Sequence, residues 1–256
     1  LFPIVPMLFT MSLPVLRGAS GFGLSVAPTG LTASSRLNMR TFSHDPVTGG
    51  PPVYWSDSPS TVVRIYLDHN ATTPTHPMVR DAIVRAITED LGNPSSIHYY
   101  GQRAKAAIDD ARTSVASLLH ADAGDLVFTS GGTEADNLAI RGAAIAQAAK
   151  GRRRIVVSAI EHEAVLRTAA ALGKDGWPVT IIPVDSSGVV APAAVREALG
   201  PDVGVVSIML ANNETGVLQD LPAIVALCRA RGVLVHTDAA QVVGHLPVSV
   251  RQLDVD

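Results

Sequence analysis

The chain has 256 residues, with 20 basic and 23 acidic side chains, a net charge of -3 and 47% apolar residues. That length suits one large domain, or one domain with a tail, and is apolar enough to bury a core; the charge balance disfavours nucleic acid as a partner. The single cysteine, Cys228, excludes an intramolecular disulfide framework and a cysteine-cluster metal site, and fits a reducing compartment such as the cytoplasm.

Residues 1–44 carry Arg17, Arg36 and Arg40 but no acidic residue, and eight of the 17 prolines fall before residue 64. We expect residues 1–63 to form an N-terminal extension outside the core, either disordered or a targeting leader. An acid-free, serine-containing, arginine-bearing leader would send the protein to mitochondria instead of leaving it cytoplasmic. The apolar stretch 1–16 is broken by Pro3, Pro6 and Pro14 and is shorter than the roughly 20 residues of a membrane span, so no membrane association is expected.

From Val62 onward, apolar runs of strand length alternate with amphipathic helical stretches, the pattern of an α/β fold with a mostly parallel sheet. In chain order we expect helices over 77–91 and 99–119, a strand over 126–129, a helix over 133–149 and a strand over 155–158. A helix over 163–172, a strand over 179–184, a helix over 192–199 and a strand over 203–209 come next, and a helix over 220–231 and a strand over 233–237 close the series. Pro77 suits a first helical turn, and Ile108, Ala111, Val115 and Leu118 recur at helical spacing.

Four polar clusters follow strands. Thr129-Ser130-Gly131-Gly132-Thr133-Glu134 opens a helix, where backbone amides and the Thr133 hydroxyl would bind a phosphate; a flexible strand-to-helix turn reads the same. It lacks the spacing of a Walker or dinucleotide loop. In Ser158-Ala159-Ile160-Glu161-His162-Glu163 the His162 imidazole could stack on an aromatic ligand or cap the next helix; a zinc-protease motif would need a histidine where Leu166 stands. Asn212-Asn213-Glu214-Thr215-Gly216 offers side-chain amides to a ligand oxygen, or is a plain turn. Asp238, in His236-Thr237-Asp238-Ala239-Ala240-Gln241, could hold a protonated ring nitrogen or cap a turn. Together they would supply a phosphate cradle, a stacking ring, an oxygen donor and a carboxylate for a ring nitrogen: a pyridoxal phosphate pocket. No metal is expected.

These clusters, with Tyr66-Leu67-Asp68-His69-Asn70-Ala71-Thr72-Thr73-Pro74 and Gly92-Asn93-Pro94-Ser95-Ser96, resemble the NifS-type cysteine desulfurases and selenocysteine lyases of aminotransferase class V. The resemblance runs from about Ile65 to Asp256. It implies the large domain of a fold-type I pyridoxal phosphate enzyme over residues 64–256 and pyridoxal 5'-phosphate as cofactor. Gly132 and Thr133 would hold its phosphate, a catalytic His162 would stack on its ring, Asp238 would pair with the ring nitrogen, and Asn213 and Gln241 would bind near the phenolic oxygen. It further implies a homodimer that takes sulfur from L-cysteine, leaves L-alanine, and passes a persulfide to a sulfur-acceptor protein for iron-sulfur cluster assembly. Selenocysteine lyase, with L-selenocysteine as substrate, is the alternative.

The chain departs from the resemblance in one respect. The family's Schiff-base lysine, persulfide-forming cysteine and substrate-binding arginine are expected beyond Asp256. The three lysines present, Lys105, Lys150 and Lys174, match no such motif. Cys228 reads as a buried helix position and not as the nucleophile. The chain alone is therefore expected to be an inactive fragment or an interaction partner, with activity belonging to a longer protein.

Overall fold

Strands of a parallel sheet are covered on both faces and need nearly unbroken apolar runs, and four such runs pair in the computed structural model, which describes residues 65–89 and 92–256. The expected N-terminal extension, residues 1–63, lies outside the described residues. The elements are α1 (Pro77–Glu89), α2 (Tyr99–Leu119), a 3-10 turn (Ala123–Asp125), α3 (Gly132–Ala148), β1 (Arg154–Ser158), α4 (Glu163–Lys174) and β2 (Val179–Ile182). They continue with α5 (Pro192–Ala198), β3 (Val203–Ser207), α6 (Leu221–Arg229), β4 (Leu234–His236) and α7 (Val250–Leu253).

The strands form one parallel sheet in the order β2-β1-β3-β4. Side chains alternate across it as strand geometry demands. Val156 points into a cluster with Ile182, Val206, Val195 and Ile224, under α5 and α6. Ile155 and Val157 point the other way, into Ile140, Val165 and Leu172 of α3 and α4. All five residues of β3 are buried. Each such aliphatic side chain contributes about 1.5–3 kcal/mol by leaving water.

This order positions the site. The chain leaves β1 for β2 on one side and then returns past β1 to form β3 on the other. The connections leaving β1 and β3 thus run in opposite directions, which makes the gap between the C-terminal ends of these two strands the switch point where open α/β sheets bind ligands.

The α/β fold with a parallel sheet is borne out. The expected strand over 126–129 is not: it joins no ladder among the described residues, and Val127 is 66% exposed. Arg112 takes the Leu126 carbonyl and stands 4.8 Å over the Phe128 ring, so side-chain contacts hold this segment where a strand would need a neighbour. Most other elements lie within two residues of expectation. The short α7 had no periodic signal. Among the described residues no helix is long and apolar enough to cross a membrane.

Candidate functional site

The segments after β1, β3 and β4 and the start of α3 converge on a cleft of ≈ 180 Å³ lined by Gly132, Thr133, His162, Asn213, Asp238 and Gln241, all anticipated from the sequence, and by Asp136, Met209 and Ala240, which were not. Asp136 carried a signal. It falls three residues after Thr133, the spacing that puts two side chains on one face of a helix.

At the α3 end, the N-cap Gly131 supplies no side-chain acceptor, so the first-turn amides at Gly132 and Thr133 have no capping partner among the described residues. A Cβ on Gly131 or Gly132 would meet nothing within 4 Å, so the space over these amides is open. A phosphate fits there on both counts. Glu134 folds back to accept the Ser130 hydroxyl and amide; these bonds hold its carboxyl below the ordinary range and stiffen the turn.

His162 realises the helix-capping reading of its motif. It is the N-cap of α4, its Nδ1 accepting the Ala164 amide at 3.2 Å, and its ring also lines the cleft. The bond fixes the orientation of a ring that would otherwise rotate.

Asp238 follows β4, and its Oδ1 accepts the Ala240 amide at 2.9 Å. Burial raises its pKa above the usual carboxylate value, Asp136 adds to the rise, and the nearby His236 and His162 oppose it. Behind it, buried Asp136 lies 3.6 Å from His236 Nε2, and His236 Nδ1 meets Ser207 Oγ at 2.9 Å. One donor atom from each of Asp136, His162 and Asp238 lies within 4.8 Å of the others. Two carboxylates gathered about an imidazole favour a cation among them, and a protonated ring nitrogen would offset the desolvation of Asp238 as a metal ion would.

Asn213 and Gln241 are tied together through a segment distant in sequence. Gln241 Nε2 donates to the Asn70 carbonyl at 3.4 Å, and Asn70 Nδ2 donates to the Asn213 carbonyl at 3.3 Å. The segment around Asn70 thus joins the loops after β3 and β4 at the cleft, 143 and 171 residues along the chain. Cys228 lies on the buried face of α6, where burial pushes its thiol up to about 11, the opposite of what a nucleophile needs.

Residues 65–256 match the aminotransferase class-V family. The chain is 44% identical over 192 residues to the cysteine desulfurase IscS of Methanosarcina thermophila, covering 75% of this chain and 47% of that protein. It is 46% identical over 195 residues to the enzyme of the same name from Serratia proteamaculans, covering 75% and 48%. Among solved structures, a NifS-like protein superposes with a TM-score of 0.73 at 36% identity, covering 76% of this chain and 54% of that one. A structure described as SspA in complex with cysteine does so at 0.71 and 32% identity, covering 75% and 55%. The chain spans about half the length of the curated relatives it matches.

Proposed function

Because the chain belongs to the class-V aminotransferase family, we propose that its cleft holds pyridoxal 5'-phosphate and that the longer protein sharing this sequence removes sulfur from L-cysteine. The products would be L-alanine and a persulfide destined for a sulfur-acceptor protein. The observation that carries this reading is the convergence of an uncapped helix start, a fixed imidazole and a half-buried carboxylate on one cleft. When bound, the cofactor supplies an electron sink that weakens bonds at the substrate's α and β carbons.

The chain's own residues do the holding. The amides of Gly132 and Thr133 would bind the phosphate, with the Thr133 hydroxyl beside them. His162 would lie against the ring, its tilt set by the bond to Ala164. Asp238 would keep a proton on the ring nitrogen. Asn213 and Gln241 would face the phenolic oxygen. No lysine lines the cleft, and Lys150 and Lys174 lie at the far ends of α3 and α4. Binding by this chain is therefore expected to be reversible.

A homodimer belongs to the same proposal, supported by exposed Leu67, Ile97 and Tyr99 in the N-terminal segment. So does a cytoplasmic setting, supported by the one unpaired, buried cysteine.

Titrating pyridoxal phosphate into the chain tests the reading. Saturable binding is expected, with no covalent mass added by borohydride, and Asp238→Asn should bind about tenfold more weakly, a 1.4 kcal/mol loss. Absence of saturable binding refutes the cofactor site. Intact mass and alanine release by the protein as isolated from its source, from L-cysteine against L-selenocysteine, then identify the substrate.

A further inference from the structure

The backbone ladder between β1 and β3 ends at Val157 and Ser207. The cleft residues begin just beyond. On the β4 side of β3, backbone bonds continue, from the Ile208 amide to the His236 carbonyl at 3.1 Å and from the Leu210 amide to the Asp238 carbonyl at 2.9 Å. On the β1 side, where the crevice opens, two side chains take over.

Glu161, only 5% exposed, reaches from the turn after β1. Its Oε1 accepts the Met209 amide at 2.8 Å and the Ser158 hydroxyl at 2.5 Å. Asn212, 9% exposed, reaches back from the loop after β3, and its Nδ2 donates to the Ile160 carbonyl at 2.9 Å. Asn212 Oδ1 meanwhile accepts the amides of Glu214 and Thr215 at 3.0 and 2.9 Å, holding its own loop closed. Each wall of the crevice thus sends a side chain to the main chain of the other.

We infer that Glu161 and Asn212 form a reciprocal brace that sets the width of the crevice, and that Glu161 is a positioning residue acting through the adjacent His162. The turn 159–162 has to deliver the imidazole to the cleft while the same residue starts α4. Anchoring Glu161 to β3 fixes that turn from behind. The carboxylate is an expensive way to achieve this for stability alone, because Glu161 Oε2 is buried with no hydrogen-bond partner among the described residues. An apolar residue of similar size would avoid that penalty but could not accept the Met209 amide.

The affinity readout of the test rests on the pyridoxal phosphate reading; the spectroscopic readout does not. In the ligand-free chain, the His162 ring should give one sharp set of NMR signals, and Glu161→Ala should split or broaden it. Glu161→Gln should restore it, since an amide oxygen can accept both bonds. Pyridoxal phosphate affinity should fall about tenfold in Glu161→Ala and stay within about threefold of the parent in Glu161→Gln. In a His162→Ala background the Glu161→Ala step should cost less than about twofold, because contacting residues that act together are non-additive. Should Glu161→Ala fail to fold, Asn212→Ala carries the same comparisons with the same expectations. An unmoved His162 ring, or an equal affinity loss with and without His162, overturns the inference. If the parent chain binds no pyridoxal phosphate, the functional reading falls, and the His162 signals alone decide the brace.

Discussion

Glu161 titrates where few carboxyls do. Burial is the main cause, raising it from 4.5 to about 7; the bonds from Ser158 and Met209 pull it down, and Asp238 and Asp136 push it further up. Because the folded state holds this proton more tightly than the unfolded chain, the stabilisation is full below about pH 4.5, declines as pH rises, and is lost above about 7. The shift corresponds to about 3 kcal/mol. Between pH 5 and 8 the parent chain should therefore lose up to about 3 kcal/mol relative to Glu161→Gln, which has nothing to titrate there, as urea unfolding would measure. Parallel pH dependence in the two proteins would refute the assignment. His162 and Asp238 were legible because each directly follows an apolar strand. Glu161 was not, for its burial comes from the end of β3, 48 residues away, and a single sequence shows only an acid in a turn.

At the scale of elements, the Gly92–Ser96 motif proves to be a packing turn at the start of α2. Asn93 closes it, accepting the Ser96 amide on its carbonyl and the Ser95 amide on its side chain, both at 2.9 Å. The turn lies so close to α2 that a Cβ on Gly101 would sit 2.3 Å from the Ser96 carbonyl oxygen and 2.7 Å from that of Asn93. Gly101→Ala should therefore destabilise the chain by about 1–3 kcal/mol, as overpacking does. Gly142→Ala, inside α3 and with nothing within 4 Å of the added carbon, should stabilise it by about 0.5–1 kcal/mol. Denaturant midpoints of the two variants moving in the same direction would contradict this account. Periodicity revealed α2 but not its tight neighbour, since an Ala at position 101 would read as equally helical. It likewise proposed a strand over 126–129, because an apolar run says nothing about whether a partner strand lies beside it.

Over the whole molecule, the alternation of helices and strands was enough to read a parallel α/β sheet, whereas the order β2-β1-β3-β4 was not available from it. A right-handed crossover fixes the face on which a helix packs, not the side of β1 on which the next strand is added. That order concentrates stability unevenly. β1 and β3 are each paired on both sides and covered on both faces, and the two apolar clusters draw their buried side chains from Ile140 onward. By contrast α1 buries no residue, and α2 buries only Gly101, Ala104 and Ala116. Opening the N-terminal helices would expose little apolar surface that is now covered, so they should open far below the global unfolding free energy. Hydrogen exchange read by mass spectrometry should be slowest at Ile155–Val157 and Val205–Ser207 and fastest in α1. Equal protection of α1 and β1 in a dilute sample would refute this ranking. Protection of α1 that appears only as protein concentration rises would instead mark a second copy settling over exposed side chains such as Ile97 and Tyr99.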